Sequence, residues 1–579
     1  MTPSPQTASP APGARLRIRY FEYLHRLSVT GLVFAALAGL WSFTPSLLPR
    51  TWWVQGLVTG LAAITAYGIG TLSVWVVRGF DIRDRLDRPR ARRVAFRTVA
   101  AGLPVLLIPV LILSLTWQIR QRELLSMPAV STLGVIAYFA SVLIVPAVFV
   151  PVLGLARAIR RWSVRLGHYF RRALPARLAT VTAAIVVASL TYGVISGVLV
   201  RSIVRGLDGS FQAAAHLVDP GLTAPTSALK SGGPDSVVNW SDLGREGRRF
   251  VTRGPSSADI ASFEQERTAP AAAASVSEPI RAYAGLTDSI DSAAALVVAE
   301  LDRTKAWDRA AILVVTTTGS GWIDESLVSS FEYLHAGNTA TAAMQYSYLP
   351  SWMAFLGDRE TPPEASSALF SAIWERWSQL PESTRPRLYV AGLSLGSYGM
   401  QAAFSSVDDL VARTDGAVFA GTPYFVPMWK DLTAERDPGT TQAEPIVDGG
   451  TRVRFYTGDA DQLAGTWHSP RIAYLQHGTD GTTWWSPSIM FTEPAWMNEP
   501  RAPGVMPQTR WFPVASFWQV AFDLFFAAGS DVPMGAGHHF QLEYVDAFAK
   551  VCQPAGWTDA DSTLLRRHIG AEPTTVSES

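Results

Sequence analysis

The residues best suited to chemistry in this 579-residue chain lie at Gly392-Leu393-Ser394-Leu395-Gly396. The frame is entered from the β-rich run Arg387 to Ala391 and left through the small residues Ser397, Gly399, Ala402 and Ala403. A serine so placed fits a sharp strand-to-helix turn, where flanking glycines remove side chains that would clash and the helix N-terminus supports developing negative charge. Ser394 is therefore expected to act as a nucleophile, with the Leu395 amide as one oxyanion donor, against the plainer reading of a turn serine.

Such a serine needs a second oxyanion donor, a base and a carboxylate to orient the base. Thr317-Thr318-Gly319-Ser320-Gly321-Trp322 follows an apolar strand upstream of the serine, and Ser320 and Gly321 are the expected donors. An ordinary Gly-rich turn is the alternative; a phosphate loop is disfavoured because its lysine is missing. For the base, the glycine-rich loop Pro533-Met534-Gly535-Ala536-Gly537-His538-His539-Phe540 favours His538 over adjacent His539 and distant His477. For the acid, Asp459 and Asp461 after one strand compete with Asp480 after the next. Strand counting favours the earlier pair and would couple Asp459 with His477.

Positioning these groups requires a sheet. Strands are expected at Ile280 to Tyr283, Ala311 to Thr316, Ala342 to Tyr348, Arg387 to Ala391, Gly416 to Ala420, Arg452 to Tyr456 and Arg471 to Gln476. Helical stretches at Asp288 to Asp302, Asp324 to His335 and Glu364 to Gln379 alternate with them, which predicts a three-layer α/β/α domain with a mostly parallel sheet. Trp484, Trp485, Trp496, Trp511 and Trp518 lie between Asp480 and His538, where aromatics either fill a core or cap the site and line an apolar pocket.

The first part of the chain reads differently. Of all residues 48% are hydrophobic and only 17% charged, which excludes a disordered or nucleic-acid-coating chain, and 49 basic against 48 acidic residues leave a net charge of +1. Five apolar runs precede Arg205: Leu27 to Leu48, Trp53 to Val77, Thr98 to Trp117, Val130 to Leu155 and Leu178 to Val200. Each reaches the ~20 residues that cross a bilayer, although Pro45 interrupts the end of the first. Arginine is rich before the first run, poor after it, rich from Arg78 to Arg97, poor again at Arg120 and Arg122, and rich from Arg157 to Arg177. Basic joints stay cytoplasmic, so this alternation predicts a multi-pass membrane protein with a cytoplasmic N-terminus and an extracytoplasmic C-terminal domain. The runs carry no Asp, Glu, Lys or Arg, which favours an anchor over a transporter. Residues 1–205 thus form an all-α multi-pass membrane domain, 206–275 a Ser/Gly/Pro/Ala-rich stem and 276–579 the catalytic domain. Trp240, Leu243 and Arg249 to Thr252 are the stem residues able to pack on that domain. Cys552 is the sole cysteine, so no intrachain disulfide and no Cys-based metal site is expected.

Several stretches carry a resemblance. Thr44-Pro45-Ser46-Leu47-Leu48-Pro49-Arg50, Glu278-Pro279-Ile280-Arg281-Ala282-Tyr283-Ala284-Gly285-Leu286, Gly319-Ser320-Gly321-Trp322-Ile323-Asp324, Tyr474-Leu475-Gln476-His477-Gly478-Thr479-Asp480 and Trp484-Trp485-Ser486-Pro487 span nearly the whole chain. With them the chain resembles the bacterial membrane-anchored α/β-hydrolase family. The resemblance implies an α/β-hydrolase fold for the C-terminal domain. In that family Leu-Gln-His is followed by Ser-Asp-Pro-Val, and Asp480 takes the place of its aspartate. Its late loop reads Gly-His-Gly-His, of which this chain keeps the second histidine as His538 and has Ala536 at the first. The resemblance thus moves the acid to Asp480. The expected function is a serine esterase or lipase-like enzyme acting on acyl esters, lipid or lipid-linked, with an acyltransferase or a catalytically silent membrane scaffold as alternatives. No cofactor, metal or nucleic acid is expected; membrane lipids and an acyl-ester substrate are. Nothing in the sequence bears on oligomeric state.

Overall fold

The computed structural model describes residues 27–79, 89–170, 218–267 and 276–571. Four helices come first: α1 (Val29–Trp41), α2 (Trp52–Gly79), α3 (Pro89–Leu124) and α4 (Thr132–Phe170). Within the last three, Trp52–Val77, Ala101–Leu124 and Thr132–Phe170 are long and apolar enough to cross a membrane. Large apolar side chains point outward from them, with Val105 72%, Leu143 71% and Leu133 75% exposed, the reverse of a water-facing bundle.

The first apolar run does not form a span. Its helix α1 has 13 residues, about 20 Å at 1.5 Å per residue and short of the ~30 Å hydrocarbon core. The residue before a proline disfavours α geometry, and ahead of Pro45 Ser42 Oγ and Thr44 Oγ1 instead donate to the carbonyls of Gly39 and Trp41 at 2.7 Å. The fifth run, Leu178 to Val200, lies outside the described residues.

The segment after α1 is built into the C-terminal domain. Leu47 is fully buried in that domain's main core. Asp523 accepts from Ser46 Oγ at 3.1 Å and from the Leu47 amide at 2.9 Å, and Gln519 Nε2 donates to Thr44 O at 2.8 Å. The expected stem is likewise folded over residues 218–267, where α5 (Gly244–Thr252) and α6 (Ser257–Glu266) bury Phe250, Val251 and Phe263. Buried Arg281 pairs with Glu332 at 2.7 Å and donates to Phe250 O at 2.6 Å, tying α5 to the sheet.

The sheet alternates with its helices: β1 (Ile280–Ala284), α7 (Ile290–Arg303), β2 (Ala311–Thr316), α8 (Glu325–Leu334), β3 (Thr339–Met344), α9 (Ser351–Gly357), α10 (Thr361–Ser378), β4 (Arg387–Leu393), α11 (Leu395–Ala402), β5 (Gly416–Ala420), β6 (Val453–Tyr456) and β7 (Arg471–Leu475). All seven strands pair in parallel in the order β1-β3-β2-β4-β5-β7-β6. Strand side chains alternate between two cores, one shared with α7, α10 and α11 and the other with α8 and two later helices. After β7 come α12 (Ala515–Phe526), α13 (Glu543–Cys552) and α14 (Asp559–Ala571), of which α13 and α14 close the second core. Cys552 is buried at the end of α13, and burial raises its thiol pKa, as in an inert packing residue.

Candidate active site

The ends of β4, β5 and β7 are stitched together just where the candidate residues emerge. The Ser394 amide donates to Ala420 O at 2.9 Å, and the Gly421 amide donates to Leu475 O at 2.9 Å. Ser394 has φ 56° and ψ −121° and immediately precedes α11. A non-glycine residue in that region is strained by about 1–3 kcal/mol, which is held by what surrounds it. Added Cβ atoms show why the flanking glycines are needed: at Gly392 one would lie 2.4 Å from the Gly396 backbone, and at Gly396 2.3 Å from Thr316 O. Beneath the turn, Ser397 Oγ and Thr422 Oγ1 lie 2.7 Å apart, Gln401 Nε2 donates to Ser397 Oγ at 2.9 Å, and Tyr474 Oη donates to Gln401 Oε1 at 2.8 Å. This buried network fixes α11 to the strands beside it.

His538 and Asp480 meet in the structure. His538 Nδ1 donates to Asp480 Oδ2 at 2.7 Å, while Asp480 Oδ1 accepts from the Thr482 amide at 2.9 Å. Asp480 is fully buried, and with its Nδ1 protonated the imidazole keeps a lone pair on Nε2. Nε2 is itself buried and has no hydrogen-bond partner among the described residues. The loop carrying it turns through Gly535 and Gly537, both at positive φ, and is pinned by His538 N to Ala527 O at 2.9 Å and Gly537 N to Thr479 Oγ1 at 2.8 Å. A Cβ on Gly421 would sit 2.3 Å from His538 Cε1, so the imidazole lies against the residue following Ala420, the acceptor of the Ser394 amide. Serine, imidazole and carboxylate thus converge on the C-terminal edge of three adjacent strands.

The other candidates lie elsewhere. Asp459 and Asp461 are exposed, and Asp459 caps a short 3-10 turn by accepting from the Asp461 amide at 3.1 Å. Strand counting fails here because β6 was added at the sheet edge, outside β7. In space the second strand from β4 is β7, and Asp480 follows it. His477 does not pair with Asp459. It contacts Glu543 at 3.1 Å and Gly537 O at 3.0 Å; burial works against its protonation, but the Glu543 hydrogen bond raises its pKa overall. His539 is buried against Gly529 O, and burial lowers its pKa.

The oxyanion loop is partly committed. The Gly321 amide donates to Thr318 O at 3.1 Å and the Gly319 amide to Tyr346 Oη at 2.8 Å. The Ser320 and Thr317 amides have no acceptor among the described residues. Thr317, which the sequence reading passed over, directly follows the Thr316 carbonyl that packs on Gly396. The loop ends at Asp324, which caps α8 by accepting from the Ser326 amide at 2.9 Å. Burial pushes the Asp324 carboxyl up to about 6.

An apolar wall adjoins the turn. Leu395 packs with Ala354 and Phe355, flanked by Tyr424, Phe425, Trp485 and Leu524. The tryptophans divide accordingly: Trp485 joins this wall, Trp484 and Trp496 fill the core, and Trp518 Nε1 reaches Thr65 Oγ1 on α2 at 3.1 Å.

No curated protein and no solved structure matches the chain. Two family models do: one described as "Alpha/beta-hydrolase family" over residues 280–565, and one described as "Alpha/beta-hydrolase family N-terminus" over residues 43–255. The second takes in α2 to α4 together with Thr44 to Arg50 and α5, so the chain belongs to the alpha/beta-hydrolase family across both of its parts.

Proposed function

We propose that the protein is a membrane-anchored serine hydrolase that cleaves acyl esters through an acyl-enzyme. The observation that carries this reading is the His538–Asp480 pair at 2.7 Å, with Nε2 left buried and unpartnered beside the strained Ser394 turn. Ser394 Oγ attacks the ester carbonyl carbon as its proton passes to His538 Nε2. The resulting oxyanion is received by the Leu395 amide and by Thr317 or Ser320 from the preceding loop, and Asp480 stabilises the imidazolium. Collapse expels the alcohol, which takes the proton from His538, and water then releases the acid by the same steps in reverse roles. Ser394 Oγ and His538 Nε2 are not hydrogen-bonded in this fold, and such contacts tighten as substrate binds. Phe355, Tyr424, Phe425 and Trp485 favour an apolar acyl group, which makes lipid or lipid-linked esters the substrate class.

In this reading the catalytic domain is extracytoplasmic. The end of α1, the start of α2 and the end of α3 pack on this domain through Trp41, Trp53 and Leu125, while the Arg78 to Arg97 joint follows α2 in the sequence. Basic joints remain in the cytoplasm, which puts the domain opposite. This topology requires a further crossing after α4, for which the sequence offers the apolar run Leu178 to Val200.

Hydrolysis of p-nitrophenyl esters of graded chain length by the full-length protein tests the reaction. Activity should rise with chain length and fall at least about 10⁴-fold in Ser394→Ala. Product analysis with an added alcohol separates free-acid release from transfer; an ester product formed in place of free acid would make the protein an acyltransferase.

A further inference from the structure

Where the helical region meets the hydrolase domain there is a cavity of about 260 Å³, lined by Arg50, Asp523 and Arg122 and by the apolar faces of Trp53, Phe522 and Phe526. Arg50 is only 5% exposed. Its Nη2 donates to Thr44 O at 2.8 Å, but Nε and Nη1 have no partner among the described residues. Asp523 does not answer this charge with an ion pair. Its two oxygens are taken by Ser46 Oγ and the Leu47 amide, so it acts on Arg50 only through space; burial pushes its carboxyl up to about 6, against the downward pull of the Arg50 charge. A buried guanidinium with two unspent donors is costly unless an anion reaches it.

The location narrows what that anion is. Arg50 stands two residues before α2 and Arg122 in the last turn of α3, at the ends of two apolar helices that lie on the same side. Trp52 and Trp53, 38% and 41% exposed, mark the same level, where tryptophans prefer to sit between hydrocarbon and water. Phe526, 39% exposed, meets Trp53 edge-on at 5.6 Å, and the two rings form an apolar part of the wall that also carries the two arginines. A charged end beside an apolar track is the shape of an amphiphile.

We propose that this cavity binds the phosphate of a phospholipid headgroup, with Arg50 and Arg122 as its cationic contacts and an acyl chain lying along Trp53 and Phe526. The inference rests on the reading of α2 and α3 as membrane helices and is independent of the Ser394 chemistry. Arg122 is half-buried, and its Nη1 makes a 3.2 Å hydrogen bond to Pro128 O, so it can be changed without opening the core.

The test uses full-length protein in detergent, stripped of lipid and then offered phosphatidylglycerol, diacylglycerol or inorganic phosphate, with bound mass read by native mass spectrometry. One phosphatidylglycerol should be retained per chain, diacylglycerol should not, and Arg122→Gln should weaken retention about tenfold, as expected for loss of a charge-assisted contact. Arg50→Met should abolish retention, and because that buried change risks the fold, the Arg122 variant and the phosphate-free lipid on wild-type protein carry the decision. Retention of diacylglycerol as tight as that of phosphatidylglycerol, binding of inorganic phosphate as tight as that of the lipid, or no retained lipid would each overturn the proposal. Carbonate extraction of native membranes reads the membrane assignment separately: release of the protein would count against spanning helices without touching the binding result.

Discussion

At Gly421 a single methyl group would come within 2.3 Å of His538 Cε1 and 2.7 Å of Nδ1. Gly421→Ala should therefore displace the imidazole and lower kcat/KM on a short acyl ester about 100-fold, the penalty for misplacing a reacting group by roughly 1 Å. Unchanged kinetics would mean that His538 is not the base. Asp324 offers a test of a different kind. Its carboxyl titrates near 6 in the fold because of burial, above its ordinary value of 3.8. A folded pKa raised in this way leaves stability intact below the unfolded value and erodes it as pH rises through about 6. Asp324→Asn keeps a good N-cap for α8 and removes the ionisation, so it should stabilise by on the order of 2 kcal/mol at pH 8 and by little at pH 4. Urea unfolding at the two pH values checks this; an equal effect at both would refute the burial argument. At this scale the sequence reveals residue types set in a motif, such as Ser394 between Gly392 and Gly396. It cannot reveal that the Gly321 amide is spent on Thr318 O while that of Thr317 is not, because amide commitments are made by the folded loop.

Elements were legible wherever hydrophobic pattern and element coincide. All seven strands form, and six lie within two residues of the expected positions. The third was read too late, at Ala342 to Tyr348, because Met344-Gln345-Tyr346 has strand-like composition. In the fold the strand is Thr339–Met344, and Tyr346 turns away to accept the Gly319 amide. Sheet order was the harder inference. Chain order places β6 before β7, whereas space places β7 beside β5, and that exchange is why Asp480 rather than Asp459 meets His538. Tertiary override was strongest at Thr44 to Arg50, which reads as the tail of a span yet serves as a piece of the hydrolase core through Leu47 and Asp523. Leu47→Ala should consequently destabilise the hydrolase domain by about 3 kcal/mol, as a fully buried leucine does. Proteolysis of the C-terminal domain, followed as a function of urea, measures this. No change in the mutant would detach the segment from the core.

For the whole molecule, near-zero net charge conceals arginine clusters that alternate along the sequence with the apolar helices, from which the proposed topology follows. Cys552 is buried, so the chain is close to cysteine-free for accessibility labelling. A cysteine at exposed Asp531 should react with a membrane-impermeant maleimide in intact cells, and one at Arg88 should react only after lysis; the reverse pattern would invert the topology. Docking through Leu47, Asp523 and Trp518 holds the C-terminal domain to the helical region, which suits the proposed action on substrates in or on a bilayer. The proposed ester hydrolysis depends on Ser394 being an activated nucleophile. Labelling of native membranes with a fluorophosphonate probe, followed by peptide mapping, addresses that directly. The modification should fall on Ser394, vanish in Ser394→Ala and drop sharply in His538→Gln. A wild-type protein that stays unlabelled, or a label that persists in Ser394→Ala, would contradict the account.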